Sequence, residues 1–281
     1  MQTVTEVKAL RAMVRGWRGK GESVGLVPTM GNLHEGHYSL LKQARVHCDR
    51  VVASVFVNPT QFGPGEDFER YPRTLAQDQA GLAEHGCDLV FAPSVETMYP
   101  FGLYDTVHVT VPRLTKSLEG AHRPGHFDGM STVVCKLFNI VQPDVAVFGQ
   151  KDFQQLRVIE RFVRDLGLPV VVLSAPIVRE ADGLAMSSRN QYLSTEQRRI
   201  APQIQRTLEG MREQLTQGKT PAQVSAWAVD RLEKAGFDPD YAVVRRSEDL
   251  AEPAPDERSG RVALIAARLG DTRLIDNLLL D

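Results

Sequence analysis

The sequence predicts an α/β fold, a doubly wound parallel sheet followed by a smaller α+β C-terminal domain. Three observations carry this. Short apolar runs alternate with helical patterns from the N-terminus to about residue 173. Some of those runs, such as RVVASVFV at 50–57 and PVVVL at 169–173, are apolar on both faces, as parallel strands covered by helices must be. The alternation stops after about Pro176, leaving roughly a hundred residues, a size typical of a small separate domain.

The elements follow in order. Thr3 and Glu6 stand at capping-box spacing, and Val7, Leu10, Val14 and Trp17 recur at helical intervals, so the spacing predicts an amphipathic first helix. Residues 24–27 read as a short strand ended by Pro28, 29–32 as a turn, and the apolar positions Leu33, Leu40, Leu41 and Ala44 as a second helix. After the strand at 50–57 comes a polar Gly/Pro loop at 58–72. The pattern then predicts a helix at 74–85, strands at 88–92 and 106–111, and a helix at 130–141 stopped before Pro143. A strand at 144–148, a turn at Gly149, a helix at 153–166 and a strand at 169–173 complete the alternation, with right-handed crossovers expected throughout. Beyond the change of character, 203–215 and 221–234 read as helices, 240–245, 262–269 and 272–276 as strands, and 247–260 as a surface loop. Phe56, Phe138, Phe148 and Phe153 are expected in the core.

Composition narrows the function. A chain of 281 residues with 42% hydrophobic and 24% charged residues has enough apolar material for a core and is not disordered. Lys plus Arg at 33 against Asp plus Glu at 35 leaves a net charge of −2, so no global basic field holds a nucleic acid and any anionic ligand must be met by local groups. Cys48, Cys87 and Cys135 are far apart and odd in number, which argues against a disulfide framework or a thiolate zinc site. Glu6, Lys8, Arg11 and Arg15 interrupt the N-terminal apolar pattern where a signal peptide would be uncharged, and no apolar run is long enough to span a bilayer. A cytoplasmic protein with no membrane partner is expected.

The first site candidate is Pro28-Thr29-Met30-Gly31-Asn32-Leu33-His34-Glu35-Gly36-His37, where strand turns into helix. Spacing of three puts both imidazoles on one helical face. A helix N-terminus favours a phosphate, and Gly31 and Gly36 allow backbone access. The pair is one residue short of the HExxH zinc spacing and lacks a third ligand nearby, so no protein-held metal is expected there. Lys151, after Gly149 and Gln150 and before Asp152, stands at a second strand-to-helix turn, at the sheet edge where ligands bind.

PTMGNLHEGH resembles the HxGH signature of a nucleotidyltransferase superfamily and, in full, the pantoate-β-alanine ligase family. Four more segments agree with that family: VNPTQFGPGEDFERYPRT at 57–74, LEGAHRPGHFDGMSTVVCKLFNIVQPD at 118–144, FGQKDFQQL at 148–156 and MSSRNQYLS at 186–194. Their order and spacing match up to Ser194, whereas the C-terminal third matches in length and pattern only.

The resemblance implies a Rossmann-like domain at 1–176 that holds ATP and pantoate, a lid domain at 177–281, and an active site between them. It also implies a two-step reaction: pantoate and ATP give pantoyl adenylate and pyrophosphate, and β-alanine then displaces AMP to give pantothenate. His34, His37 and Lys151 are the implied catalytic donors. ATP contacts carry over to Met30, Gly31, Asn32, Leu33, His34, Glu35, Gly36, His37, Gly149, Gln150, Lys151, Asp152, Val178, Met186, Ser187, Ser188 and Arg189. Pantoate falls to Gln61 and Gln155, β-alanine to Gln61. Asn58, Arg123 and His126 are further candidates for the acid's carboxylate. Mg²⁺ is expected with ATP, Asp78 being a possible indirect contact, and the family implies a homodimer. Gln150 stands where the family commonly has Glu, and Asn32 and Tyr38 replace more usual small and aliphatic residues. A simple nucleotidyltransferase is the rival enzyme, against which VNPTQF and Gln155 speak. A catalytically silent nucleotide binder on the same fold is the rival of another class, against which the intact His34, His37, Lys151 and Arg189 speak.

Overall fold

The computed structural model describes residues 1–103 and 105–280. The chain divides into two compact units, one formed by Met1–Gly149 with Val158–Ala175, the other by Gln150–Arg157 with the chain from Pro176 onward.

The first unit contains β1 (Gln2–Val4), α1 (Val7–Arg18), β2 (Val24–Thr29), α2 (Glu35–His47), β3 (Arg50–Val55), α3 (Leu75–Glu84), β4 (Leu89–Phe91), α4 (Val95–Met98), α5 (Glu119–His122), α6 (His126–Val141), β5 (Val145–Gly149) and β6 (Val171–Ala175). Helix α7 (Phe153–Asp165) begins in the second unit and ends in the first. The six strands form one sheet in the order β1-β4-β3-β2-β5-β6, every pair parallel. Helices cover it, so β3 buries Val51, Val52, Ala53 and Ser54 in succession, which explains why its apolar residues are consecutive, with the small Ser54 among them. Leu40, Leu41 and Ala44 of α2 and Leu82 of α3 pack with Val27, Val51, Ala53, Val90 and Val147 in one core. Phe56, Phe138, Phe148 and Phe153 are buried, as expected.

Strands β2, β3 and β4 step toward one edge, β5 and β6 toward the other. The reversal falls between β2 and β5, paired at Gly25↔Val145 and Leu26↔Ala146. Ligands of doubly wound sheets bind beyond the carboxyl ends at such a reversal. Here β2 leads into residues 30–37, and β5 ends at Gly149, just before Gln150-Lys151-Asp152.

The second unit carries α8 (Thr195–Ile200), α9 (Gln203–Thr216) and α10 (Pro221–Lys234), then β7 (Asp238–Arg246), β8 (Arg261–Leu269) and β9 (Thr272–Leu279) in an antiparallel sheet ordered β7-β8-β9. Capping boxes start α8 at Ser194/Gln197 and α10 at Thr220/Gln223, the latter with Pro221 in the first turn. Ile204, Leu208 and Met211 of α9 and Val224, Ala228 and Leu232 of α10 pack on Val244, Ala263, Ile265 and Ala267 of the sheet.

Three expectations are corrected. The run at 169–173 is not covered on both faces: β6 is an edge strand, and its Val171 is 57% exposed. Thr3 and Glu6 form no capping box: Thr3 lies in β1 opposite Val90, its hydroxyl accepts from Gln79 Nε2 at 2.8 Å, and Glu6 caps α1 without a side-chain bond. Residues 106–111 are not a strand; the Val109 N–H donates to Thr132 Oγ1 of α6 at 2.9 Å instead of to a neighbouring strand.

Candidate active site

In the first unit, the loop after β2 is shaped by left-handed backbone at Gly31 (φ 86°) and Asn32 (φ 51°). A Cβ on Gly31 would lie 3.0 Å from Asp78 Oδ2 and 3.2 Å from Val55 Cγ1, so glycine suits the position for space as well as for φ. The buried Asp78 carboxylate accepts the N–H groups of Asn32 (3.1 Å) and Leu33 (2.8 Å) and the Thr74 hydroxyl (3.1 Å). Its oxygens are therefore engaged in holding the loop.

His34 and His37 are not simply two residues on one helical face. His34 is extended and is the N-cap of α2; its Nδ1 accepts the Gly36 N–H at 3.1 Å, while His37 Nδ1 accepts the His34 N–H at 3.3 Å. This is a capping box built from two imidazoles. Each neutral ring that accepts at Nδ1 carries its proton at Nε2, so the box makes both Nε2–H groups donors, with ring centroids 4.1 Å apart. Several backbone N–H groups of the turn are engaged within the protein, Gly31 to Thr29 Oγ1 at 3.3 Å among them. Imidazole N–H groups at the start of a helix are of the chemical type that donates to an anion.

Gln61 ends a short 3₁₀ turn, Pro59–Gln61, whose N-cap is Asn58. Asn58, 1% exposed, donates from Nδ2 to Gln61 Oε1 (3.1 Å) and to the Gly129 carbonyl (3.2 Å). Its Oδ1 accepts the hydroxyls of Tyr99 (2.7 Å) and Thr60 (3.0 Å). Gln61 Nε2 meets Met30 Sδ at 3.2 Å, bringing two predicted site residues together. Gly129 is required by close approach: a Cβ there would collide with the Thr60 carbonyl of the 3₁₀ turn.

Arg123 and His126 act on the same turn from outside. The Gln61 carbonyl accepts His126 Nδ1–H at 2.8 Å, and His126 Nε2 faces Arg123 Nη1 at 3.2 Å. Burial, with the Arg123 charge beside it, pushes the His126 pKa down to about 4, so the ring is neutral. Arg123 makes two bonds to Glu66, at 2.7 and 2.6 Å. Burial would raise the Glu66 carboxyl, but these bonds outweigh it and hold its pKa below the ordinary value. Asn58, Arg123 and His126 therefore support Gln61 through bonds within the protein.

In the second unit, Asn277 of β9, 1% exposed, donates from Nδ2 to the carbonyls of Gln150 and Lys151, at 2.9 Å each, and accepts Gln150 Nε2 at Oδ1 at 3.2 Å. Next to it, buried Asp276 pairs with Arg179 at 2.6 and 3.0 Å and takes the Asn277 N–H at 2.8 Å. Burial raises the Asp276 carboxyl pKa, with Arg179 opposing. Lys151 and Gln155 are half-buried and Asp152 is exposed. The Val178 carbonyl accepts the Met186 N–H at 3.0 Å, and Ser187 Oγ accepts the Arg189 N–H at 3.3 Å, starting the 3₁₀ turn Ser188–Tyr192.

A pantoate-β-alanine ligase family model matches residues 2–279. The chain belongs to the pantoate-β-alanine ligase family. It is 59% identical over 278 residues to a pantothenate synthetase of Xanthomonas axonopodis pv. citri (strain 306), covering 99% of each chain. A crystal structure of pantothenate synthetase from Thermus thermophilus is similar with a TM-score of 0.93 at 50% identity, covering 100% of this chain and 99% of that one. A pantoate-β-alanine ligase from Francisella tularensis, complexed with beta-gamma ATP and β-alanine, matches with a TM-score of 0.83 at 32% identity over 99% of this chain and 97% of its own. As a pantoate-β-alanine ligase, the protein is an enzyme that joins pantoate and β-alanine into pantothenate. Among the described residues, no helix is long and apolar enough to cross a membrane.

Sequence reasoning about this ligase missed Tyr99, Glu66, Gly129, Arg179, Asp276 and Asn277. The one available signal was Asp276-Asn277, two polar residues set between the apolar pairs Leu274-Ile275 and Leu278-Leu279 of β9.

Proposed function

We propose that the ligase works through an acyl adenylate, with ATP as the activating substrate. A pantoate carboxylate oxygen attacks the α-phosphorus of ATP, forming an O–P bond as the bond to pyrophosphate breaks. The β-alanine amine then attacks the acyl carbon, the C–O bond to AMP breaks, and the amine loses a proton. The observation that carries this reading is the imidazole capping box, which places two histidine rings just after the carboxyl end of β2, at the reversal of the sheet.

Negative charge grows on the departing pyrophosphate, and preorganised donors stabilise it. His34, His37 and Lys151 take that role, with Met30 to His37, Gly149 to Asp152, Met186, Ser187, Ser188 and Arg189 around the nucleotide and the Val178 backbone beside adenine. Gln61 and Gln155 bind pantoate, and Gln61 also meets β-alanine. Two hydroxyls and a guanidinium suit phosphate oxygens. Mg²⁺ would enter with ATP and supply positive charge to the phosphates, as such ions are usually held by phosphate oxygens and water. We also propose that residues 177–281 act as a lid, that the chain forms a homodimer, and that the enzyme is cytoplasmic.

The test is to incubate the enzyme with ATP, Mg²⁺ and pantoate, quench, and trap the acyl group with hydroxylamine. The reading predicts pantoyl hydroxamate and AMP in equal amounts before any β-alanine is added. AMP without hydroxamate, or ADP in its place, would refute it. Sedimentation equilibrium reads the dimer independently.

A further inference from the structure

We infer that Tyr99 is a positioning residue that holds the Gln61 carboxamide as a hydrogen-bond donor toward the acid substrate. The inference rests on the assignment of Gln61 to pantoate.

A carboxamide can present either an oxygen or an NH₂ to a ligand, and which it presents depends on what holds its other end. Gln61 Oε1 already accepts Asn58 Nδ2 at 3.1 Å. Among the described residues its Nε2 contacts only a poor acceptor in Met30 Sδ, at 3.2 Å, which an anionic oxygen would readily replace. Gln61 is thereby set to recognise an acceptor, such as the carboxylate or a hydroxyl oxygen of a hydroxy acid.

That setting depends on Asn58, whose orientation is read from partners that cannot exchange roles. The Gly129 carbonyl can only accept, at 3.2 Å from Nδ2, and the Thr60 N–H can only donate, at 3.4 Å from Oδ1. The Tyr99 hydroxyl adds the shortest bond of the cluster, 2.7 Å to Oδ1. The other two bonds to Oδ1, from Thr60, are longer, at 3.0 and 3.4 Å. Tyr99 and Asn58 are 3% and 1% exposed, so bulk water has little access to replace a lost hydroxyl.

The ring has little freedom to re-aim that hydroxyl. It lies 6.4 Å from the Phe56 ring, and the Lys136 ammonium sits 5.2 Å from its centroid. Tyr99 lies 41 residues beyond Asn58 in the chain, so the contact depends on the fold and not on local sequence.

Steady-state kinetics of Tyr99→Phe and Gln61→Glu, each with pantoate and ATP varied in turn, test the inference. Tyr99→Phe removes one oxygen and keeps the ring. We expect it to raise the pantoate KM roughly 3–10-fold, with kcat and the ATP KM within about twofold, the size of one buried hydrogen bond. Gln61→Glu can still accept from Asn58 but turns an oxygen to the substrate, and should raise the pantoate KM by more than tenfold. If Gln61→Glu weakens pantoate and Tyr99→Phe changes nothing, Gln61 binds the acid but Tyr99 does not position it, and the inference is overturned alone. If neither variant moves the pantoate KM, the assignment of Gln61 fails and takes the inference with it. An equal loss in all three constants for Tyr99→Phe would mark a merely structural role and would also overturn it. Should Tyr99→Phe not fold, Thr60→Val removes the other hydroxyl on the same oxygen and is read by the same criteria.

Discussion

The Asp78 carboxylate accepts the Leu33 backbone N–H at 2.8 Å, tying α3 to the loop that carries the two imidazoles. The same buried carboxylate takes the Asn32 N–H, so an alanine at 78 would strand two backbone donors away from water. Each stranded donor costs about 1–3 kcal/mol. Asp78→Ala should therefore lose roughly 2–6 kcal/mol in urea unfolding, and Asp78→Asn, which keeps one acceptor oxygen, less than half of that. Equal midpoints for wild type and Asp78→Ala would show that the loop does not depend on this residue.

Gly129 of α6 sits where a methyl group would strike the Thr60 carbonyl and lie 2.8 Å from the Gln61 nitrogen. Gly129→Ala must shift the turn that carries Gln61 or the helix itself, and overpacking of this kind costs about 1–3 kcal/mol. We expect a lower Tm together with a pantoate KM raised by at least about tenfold, since a shift of the turn moves Gln61 with it. Calorimetry and initial rates check the two effects separately, and a changed Tm with an unchanged KM would contradict the placement of Gln61.

His126 makes stability depend on pH. Its pKa is pushed down to about 4 in the folded protein, against about 6.5 when unfolded. Above pH 6.5 both states are neutral and the contribution is fully present. As pH falls from about 6.5 to 4 the unfolded state takes up the proton and the folded state does not, so stability declines, and below about 4 the loss levels off. The total is of the order of 3 kcal/mol. Urea titrations from pH 7 to 4 should show this slope in wild type and a shallower one in His126→Asn.

Much of this was legible in the sequence, for physical reasons that also explain the failures. The strand Arg50–Val55 is covered on both faces, so apolar residues are consecutive and easily seen. The block from Met30 to His37 is local, so its two histidines and flanking glycines mark it as a candidate in the sequence itself. By contrast β1 is three mostly exposed residues, and Thr3 and Glu6 imitate a capping signal there. The alternation at 106–111 satisfies a strand's pattern but lacks a pairing partner among the described residues, and the Val109 N–H goes to Thr132. Asn277 lies 127 residues from Gln150, and Glu66 57 residues from Arg123. Contacts so distant leave no periodic mark, and only the fold reveals them.

Asn277 offers a sharper test of the second unit. Its carboxamide donates to the carbonyls of both Gln150 and Lys151, and its oxygen accepts from Gln150. A glutamate at 150 could not donate to that oxygen, which gives the glutamine there a structural reason. Asn277→Ala should release the Lys151 backbone and lower the adenylation rate by roughly tenfold, about 1.4 kcal/mol, with a pantoate KM within twofold. Gln150→Glu should be destabilising in wild type and neutral in the Asn277→Ala background, a double-mutant cycle readable by thermal melts.

The measurement that tests the acyl adenylate most directly is exchange of labelled pyrophosphate into ATP, with and without pantoate and in the absence of β-alanine. Exchange that requires pantoate, and that falls by about two to three decades in His34→Ala and in Lys151→Ala, is the predicted result. No pantoate-dependent exchange by protein shown to bind ATP would contradict the two-step reaction.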